Sequence, residues 1–127
     1  GQQSVLITGD LSSVAEKRLL DALRRQGRSQ TLQANILVAG HHGSRHSTYD
    51  EFLSALSPEL VLFTSGYRNR FNFPHAQVLE RLDRRQVDWL NTACEGAIQI
   101  NFTPTQWQVV QQARQRQKRW FHHQCPQ

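Results

Sequence analysis

Cysteine is scarce, long apolar runs are missing, and the last stretch of the chain contains no acid. Only Cys94 and Cys125 occur among 127 residues, which excludes a disulfide-rich scaffold and a Cys-based zinc finger. The longest apolar runs cover residues 5–7, 36–39 and 60–63, far below the roughly 18–20 residues that a membrane span needs. No basic-then-apolar leader opens the chain, and no internal repeat is visible. What remains, 38% apolar and 20% charged residues, suits one compact domain with a modest core. Gly1-Gln2-Gln3-Ser4 runs at once into the strand-like Val5-Leu6-Ile7, and we expect the sequence to be a piece of a longer protein.

Charge is unevenly placed. Residues 1–103 hold 11 Lys/Arg and 10 Asp/Glu, a net of +1, whereas residues 104–127 add Arg114, Arg116, Lys118 and Arg119 without an acid. The tail therefore supplies four of the five net positive charges. Such a segment either attracts nucleic acid or anionic lipid through counterion release, or is a solvated, flexible Gln/Arg-rich terminus.

Patterning predicts an α/β layered fold in the order β-α-β-α-β-α-β-β. Residues 5–8 read as a short strand covered on both faces. Ser13 and Glu16 have capping-box spacing, and Ala15, Leu19, Leu20, Ala22 and Leu23 form a helical stripe that Gly27 stops. A second strand spans 35–39. Thr48 and Glu51 form another capping box ahead of a helix with Phe52, Leu53 and Leu56 inward, and a third strand spans 60–65. Pro74 is expected in the first turn of a helix running to Gln86, followed by a strand over 87–90. In 97–102, Ile98, Ile100 and Phe102 alternate onto one side, with Trp107 and Val109 as hairpin partners after a turn at 103–105. The ordered domain is thus expected over 1–103, with strand extension to 110 and a basic tail over 111–127.

Three predicted strand ends carry unusual polar residues, and in open α/β sheets functional groups gather there. They are Thr8-Gly9-Asp10; Gly40-His41-His42-Gly43-Ser44 followed by Arg45 and His46; and Ser65 through Arg70, leading to Phe71-Asn72-Phe73-Pro74-His75. A carboxylate and imidazoles on adjacent strand ends suit Zn²⁺ or Mn²⁺, and a carboxylate can bridge two such ions. A lone Asp in that position more often caps a helix. His41 and His42, if extended, point opposite ways, so only one faces a common site.

Val5-Leu6-Ile7-Thr8-Gly9-Asp10 followed by His41-His42-Gly43-Ser44 resembles the second half of a metallo-β-lactamase-like domain, in the form found in the ComEC family of competence proteins. The similarity extends through Ser57-Pro58, Ser65-Gly66-Tyr67-Arg68-Asn69-Arg70, Pro74-His75-Ala76-Gln77-Val78-Leu79-Glu80-Arg81-Leu82 and Glu95-Gly96-Ala97-Ile98, about residues 4–103. It implies the C-terminal half of an αββα sandwich. It also implies two divalent ions, Zn or Mn, in the complete domain, with Asp10 as bridge, His42 as the preferred ligand and His41 as second choice. Asp10 and His75 would be catalytic in a metal-assisted phosphodiester hydrolysis. Here His75 binds a phosphate oxygen or protonates the leaving alkoxide, or is simply a polar helix-start residue. Ser44, Arg68 and Arg70 would contact substrate; Ser44 alternatively braces its own loop, and the arginines alternatively are only solvated.

Phe73 stands where the family often has a further histidine, and the family's main metal motif belongs to the first half of the domain. This chain alone is therefore expected neither to hold metal tightly nor to catalyse. The implied partners are single-stranded DNA and the rest of the same polypeptide, a membrane channel, with the domain on the outer face of a bacterial inner membrane. A homodimer of the fragment is a further expectation, because one layer of a two-layer sandwich exposes apolar surface. The rival readings are a non-catalytic DNA-binding or scaffolding domain, and a hydrolase of another phosphate ester.

Overall fold

Short apolar runs that alternate with amphipathic segments need a sheet with helices laid on it. The computed structural model, which describes residues 3–28 and 32–113, has that form. Its elements are β1 (Val5–Ile7), α1 (Ser13–Arg25), β2 (Ile36–Val38), α2 (Asp50–Leu56), β3 (Leu60–Phe63), α3 (Ala76–Arg84), β4 (Asp88–Asn91), α4 (Thr92–Glu95), β5 (Ile98–Phe102) and β6 (Trp107–Gln112), with a tight 3-10 turn at Gly40–Gly43. Strands β1 to β4 form a parallel sheet in chain order, and β5 and β6 an antiparallel hairpin. The hairpin reaches Gln112, two residues into the expected tail. From residue 114 onward the tail, with its four basic residues, lies outside the described residues.

Register divides the sheet into two faces. Leu6, Leu37, Val61 and Trp89 lie in one row across the four strands. That row packs with Leu20 of α1, Phe52, Leu53 and Leu56 of α2, and Val78 and Leu82 of α3 as a single core. All three helices therefore lie on the same face, as right-handed crossovers between successive neighbours require. The opposite face is apolar except at its β4 corner, with rows Val5–Ile36–Leu60–Asp88 and Ile7–Val38–Leu62–Leu90. Ile36 and Leu60 are buried, but at the edge Val5 is 42% and Ile7 73% exposed. The expectation of a first strand covered on both faces is thus corrected: β1 is an edge strand, half covered.

Other expectations change at element ends. Ser12, not Ser13, caps α1, its hydroxyl accepting from Ala15 N at 3.5 Å. Glu16 does not close a capping box, because its carboxylate turns inward to another loop. Nor does Thr48 cap α2; Tyr49 occupies that position without a side-chain bond, and Thr48 is buried in the left-handed region at φ 55°. Helix α3 starts at Ala76 with His75 as its cap, so Pro74 precedes the helix rather than opening it, and α3 ends at Arg84, short of Gln86. A one-turn helix, α4, lies between the strands expected over 87–90 and 97–102; Asn91 Oδ1 starts it by accepting from Ala93 N at 3.0 Å. Phe102 does not share the partial burial of Ile98 and Ile100 and is 45% exposed.

The hairpin sits at the amino ends of the parallel strands. Gln3, just ahead of β1, donates to Thr105 O (3.2 Å), and Trp107 Nε1 donates to Glu59, just ahead of β3 (3.2 Å). The opposite ends of the strands, where the polar residues cluster, are left open.

Candidate functional site at the strand ends

Parallel strands in register deliver Thr8-Gly9-Asp10, the Gly40–Gly43 turn and the loop after β3 to the same edge. Thr8 ties the first two together, its hydroxyl donating to Val38 O at 2.8 Å, and His41 N donates to Gly9 O at 2.9 Å. The turn can close so tightly because two positions lack a side chain. A Cβ on Gly40 would lie 2.5 Å from Leu11 O, and one on Gly43, at φ 85°, 2.6 Å from Phe63 Cδ1 and 2.7 Å from Pro74 Cβ.

His41 and His42 are not extended. Both are left-handed, at φ 49° and 56°, a region that costs a non-glycine residue of order 1–3 kcal/mol and is maintained only where surroundings over-determine it. Here the constraints are bonds from Ser44 N to His41 O (3.0 Å) and from Ser47 Oγ to Gly40 O (2.7 Å). The consequence is that the rings part. His41 stands edge-on to Phe73 with centroids 6.1 Å apart, while His42 turns toward Asp10, Nε2 lying 4.0 Å from Oδ1.

The other nitrogen of His42 decides what that approach means. Nδ1 is 2.8 Å from the carbonyl oxygen of Thr64. A carbonyl only accepts, so Nδ1 carries the proton, which leaves Nε2 as the nitrogen that offers a lone pair when the ring is neutral. A backbone carbonyl that orients an imidazole in this way is a usual second partner of a ligating histidine. With the ring neutral, Nε2 and the Asp10 carboxylate face each other as two electron-pair donors, an arrangement that attracts a cation; with the ring protonated, the two form an ion pair. Asp10 is free for this because Ser12 caps α1, and its side chain is 83% exposed.

A divalent ion would fit these two groups in chemistry but not in number. Structural and catalytic centres use three or four protein ligands, and no group of three or more His, Cys, Asp or Glu side chains able to hold a metal occurs among the described residues. The described residues supply at most part of a centre.

His75 has a definite duty. Its Nδ1 accepts from Gln77 N at 3.2 Å, capping α3, while His75 N donates to Gly43 O at 2.8 Å. As acceptor, Nδ1 is unprotonated, so the neutral ring holds its proton on Nε2, a donor. Ser44 is 5% exposed and its hydroxyl accepts from His46 N at 3.3 Å. It serves its own loop. Arg68 and Arg70 are exposed, lying over the rings of Tyr67 (5.5 Å) and Phe71 (4.7 Å).

Glu16 was missed as a functional support. Fully buried, its carboxylate accepts from Thr48 N (2.6 Å) and Tyr49 N (3.1 Å), anchoring the segment that follows the histidine turn. From α3, Arg81 donates to Ser47 O (3.2 Å) and Thr48 O (3.3 Å). Burial raises the Glu16 carboxyl above its ordinary range, against the lowering effect of the two N–H bonds and Arg81. Desolvation, with Glu51 and Glu16 adding, pushes the Tyr49 hydroxyl up to about 12. The signal for Glu16 was in the sequence: it falls four and seven residues before Leu20 and Leu23, on the apolar stripe, where a carboxylate must find partners.

These features define a parallel α/β domain with a polar, donor-rich cluster at the carboxyl ends of its strands. No family model matches the chain. It is 35% identical over 121 residues to Recombination protein 2 of Haemophilus influenzae, covering 95% of this chain and 14% of that protein. It is 33% identical over 102 residues to ComE operon protein 3 of Bacillus subtilis (80% and 12%), and 35% identical over 100 residues to competence protein ComA of Neisseria gonorrhoeae (79% and 14%). The chain belongs with these competence proteins of the ComEC family. It spans about one seventh of the length of the first of them.

Proposed function

We propose that the chain is the C-terminal half of a metallo-β-lactamase-like domain which, within a longer DNA-uptake protein, hydrolyses phosphodiester bonds of DNA. The observation that carries this reading is the approach of His42 Nε2 to the Asp10 carboxylate at 4.0 Å, on a histidine oriented by Thr64 O. The apolar second face of the sheet supports it, since a two-sheet sandwich needs such a face on each layer.

Asp10 and His42 would each donate to a divalent ion, the other ligands coming from beyond the described residues. When bound, such ions polarise a phosphate oxygen and acidify water. His41 stays outside that set, held against Phe73. His75 presents Nε2–H to an anionic oxygen, and Arg68 and Arg70 attract the phosphate backbone. Among the described residues no helix is long and apolar enough to cross a membrane. We place the domain on the outer face of the inner membrane, attached to a channel formed by the rest of the polypeptide.

The test is hydrolysis of a labelled oligonucleotide by the polypeptide carrying the whole domain, with Mn²⁺ or Zn²⁺. Asp10→Asn and His42→Ala should each lower the rate at least ~100-fold, as loss of a group that acts on the reacting atoms does. Unchanged rates in both variants would leave the non-catalytic DNA-binding reading in its place.

A further inference from the structure

Beside the Asp10–His42 pair lies a feature that phosphate chemistry does not require. Phe71 is 57% exposed, among the large apolar side chains most open to solvent. Its ring is stacked on Phe73, with centroids 5.4 Å apart and planes 20° from parallel, and the Arg70 guanidinium lies over it at 4.7 Å. Phe73 in turn meets His41 edge-on at 6.1 Å. A ladder Arg70–Phe71–Phe73–His41 thus leads from solvent to the residue next to His42.

The ladder is preorganised. Asn69 Oδ1 accepts from Phe73 N (2.8 Å), while its Nδ2 donates to Phe73 O (2.8 Å) and Gly66 O (3.1 Å). One amide side chain therefore braces the loop that presents both rings. A planar cation over an exposed aromatic ring marks a surface that a nucleobase can take. The exposed Arg70 can swing from the ring to a phosphate when a base replaces it.

We propose that Phe71 is a base-stacking step that makes this site select single-stranded over duplex nucleic acid. The inference rests on the DNA-directed reading above and adds to it a residue that distinguishes strands by their unstacked bases. In a duplex each base face is already covered by its neighbours, so Phe71 has nothing to stack on. In a single strand a base settles on Phe71 with its flanking phosphates near Arg68 and Arg70.

The experiment is a fluorescence-anisotropy titration of the purified protein with three probes: a labelled oligothymidylate, an abasic strand of equal length, and a duplex. Stacking on an aromatic platform is worth about 5- to 150-fold in affinity per base. The oligothymidylate should bind tighter than the abasic strand by that factor, and tighter than the duplex. Phe71→Ala should abolish the advantage over the abasic strand while leaving abasic binding unchanged; Phe71→Trp should preserve it. Arg70→Ala should weaken all strands and flatten the dependence on salt by about one phosphate contact. Equal affinity for the oligothymidylate and the abasic strand, or full retention of the advantage in Phe71→Ala, would overturn the proposal while leaving phosphate-directed DNA binding intact. Preference for duplex would overturn it too. Failure to bind any probe would remove the DNA reading as well.

Discussion

Replacing Glu16 tests how the histidine turn is supported. In Glu16→Ala, the backbone N–H groups of Thr48 and Tyr49 lose the acceptor they hold at 2.6 and 3.1 Å. Each buried donor left unpaired costs about 1–3 kcal/mol. Removing a carboxylate that burial already disfavours offsets part of this, and we expect a net loss of about 2–4 kcal/mol. Glu16→Gln keeps one acceptor but turns an NH₂ toward the second donor, for about 1–3 kcal/mol. The pH dependence has a definite sign. Burial raises the folded-state value above the ordinary 4.5, so the folded chain retains this proton to higher pH than the unfolded chain does. The contribution of Glu16 to stability is then complete below about 4.5 and declines as pH rises toward the raised value. The stability gap between the native protein and Glu16→Gln should therefore narrow with rising pH across that window. Urea unfolding at several pH values, with an unchanged slope against denaturant, measures it. A loss below about 0.5 kcal/mol in Glu16→Ala, the range of an ordinary surface change, or a gap that widens with pH, would refute the reasoning.

Gly40→Ala should destabilise by about 1–3 kcal/mol, because its Cβ would press on a backbone carbonyl that has no room to yield; thermal unfolding reads this directly. His41→Gly should do the opposite, gaining about 1 kcal/mol by relieving a left-handed residue, with metal-dependent activity retained if His42 is the ligand. Asn69→Ala should cost about 1–3 kcal/mol through three lost bonds, and hydrogen exchange should show faster opening of residues 66–73 than in the native protein.

Much of the architecture was legible because it follows from period and punctuation. The apolar runs at 5–7, 36–38 and 60–63 are strands, and the stripe through Leu20 and Leu23 is a helix. The gathering of Asp10 and His42 at one sheet edge followed from strand ends in register. What was not legible depended on partners distant in sequence. Glu16 fits a capping box by spacing, yet Thr48 and Tyr49, more than thirty residues away, claim its carboxylate. On extended backbone, neighbouring histidines such as His41 and His42 point opposite ways. They do diverge, but because two left-handed residues rotate the rings apart, a geometry imposed by Gly40 and Gly43 packing against Leu11, Phe63 and Pro74. The exposure of β1 was hidden for a similar reason: a run of apolar residues states that a strand wants cover, not that it has it.

That uncovered margin bears on how such a molecule behaves in solution. Val5 and Ile7 stand at the rim of a parallel sheet whose outermost strand has a ladder on one side only among the described residues. Unprotected rims of this kind recruit whatever strand or greasy patch comes near, including those of an identical neighbour. Sedimentation across a dilution series would show mass rising with concentration, and Ile7→Lys should suppress it.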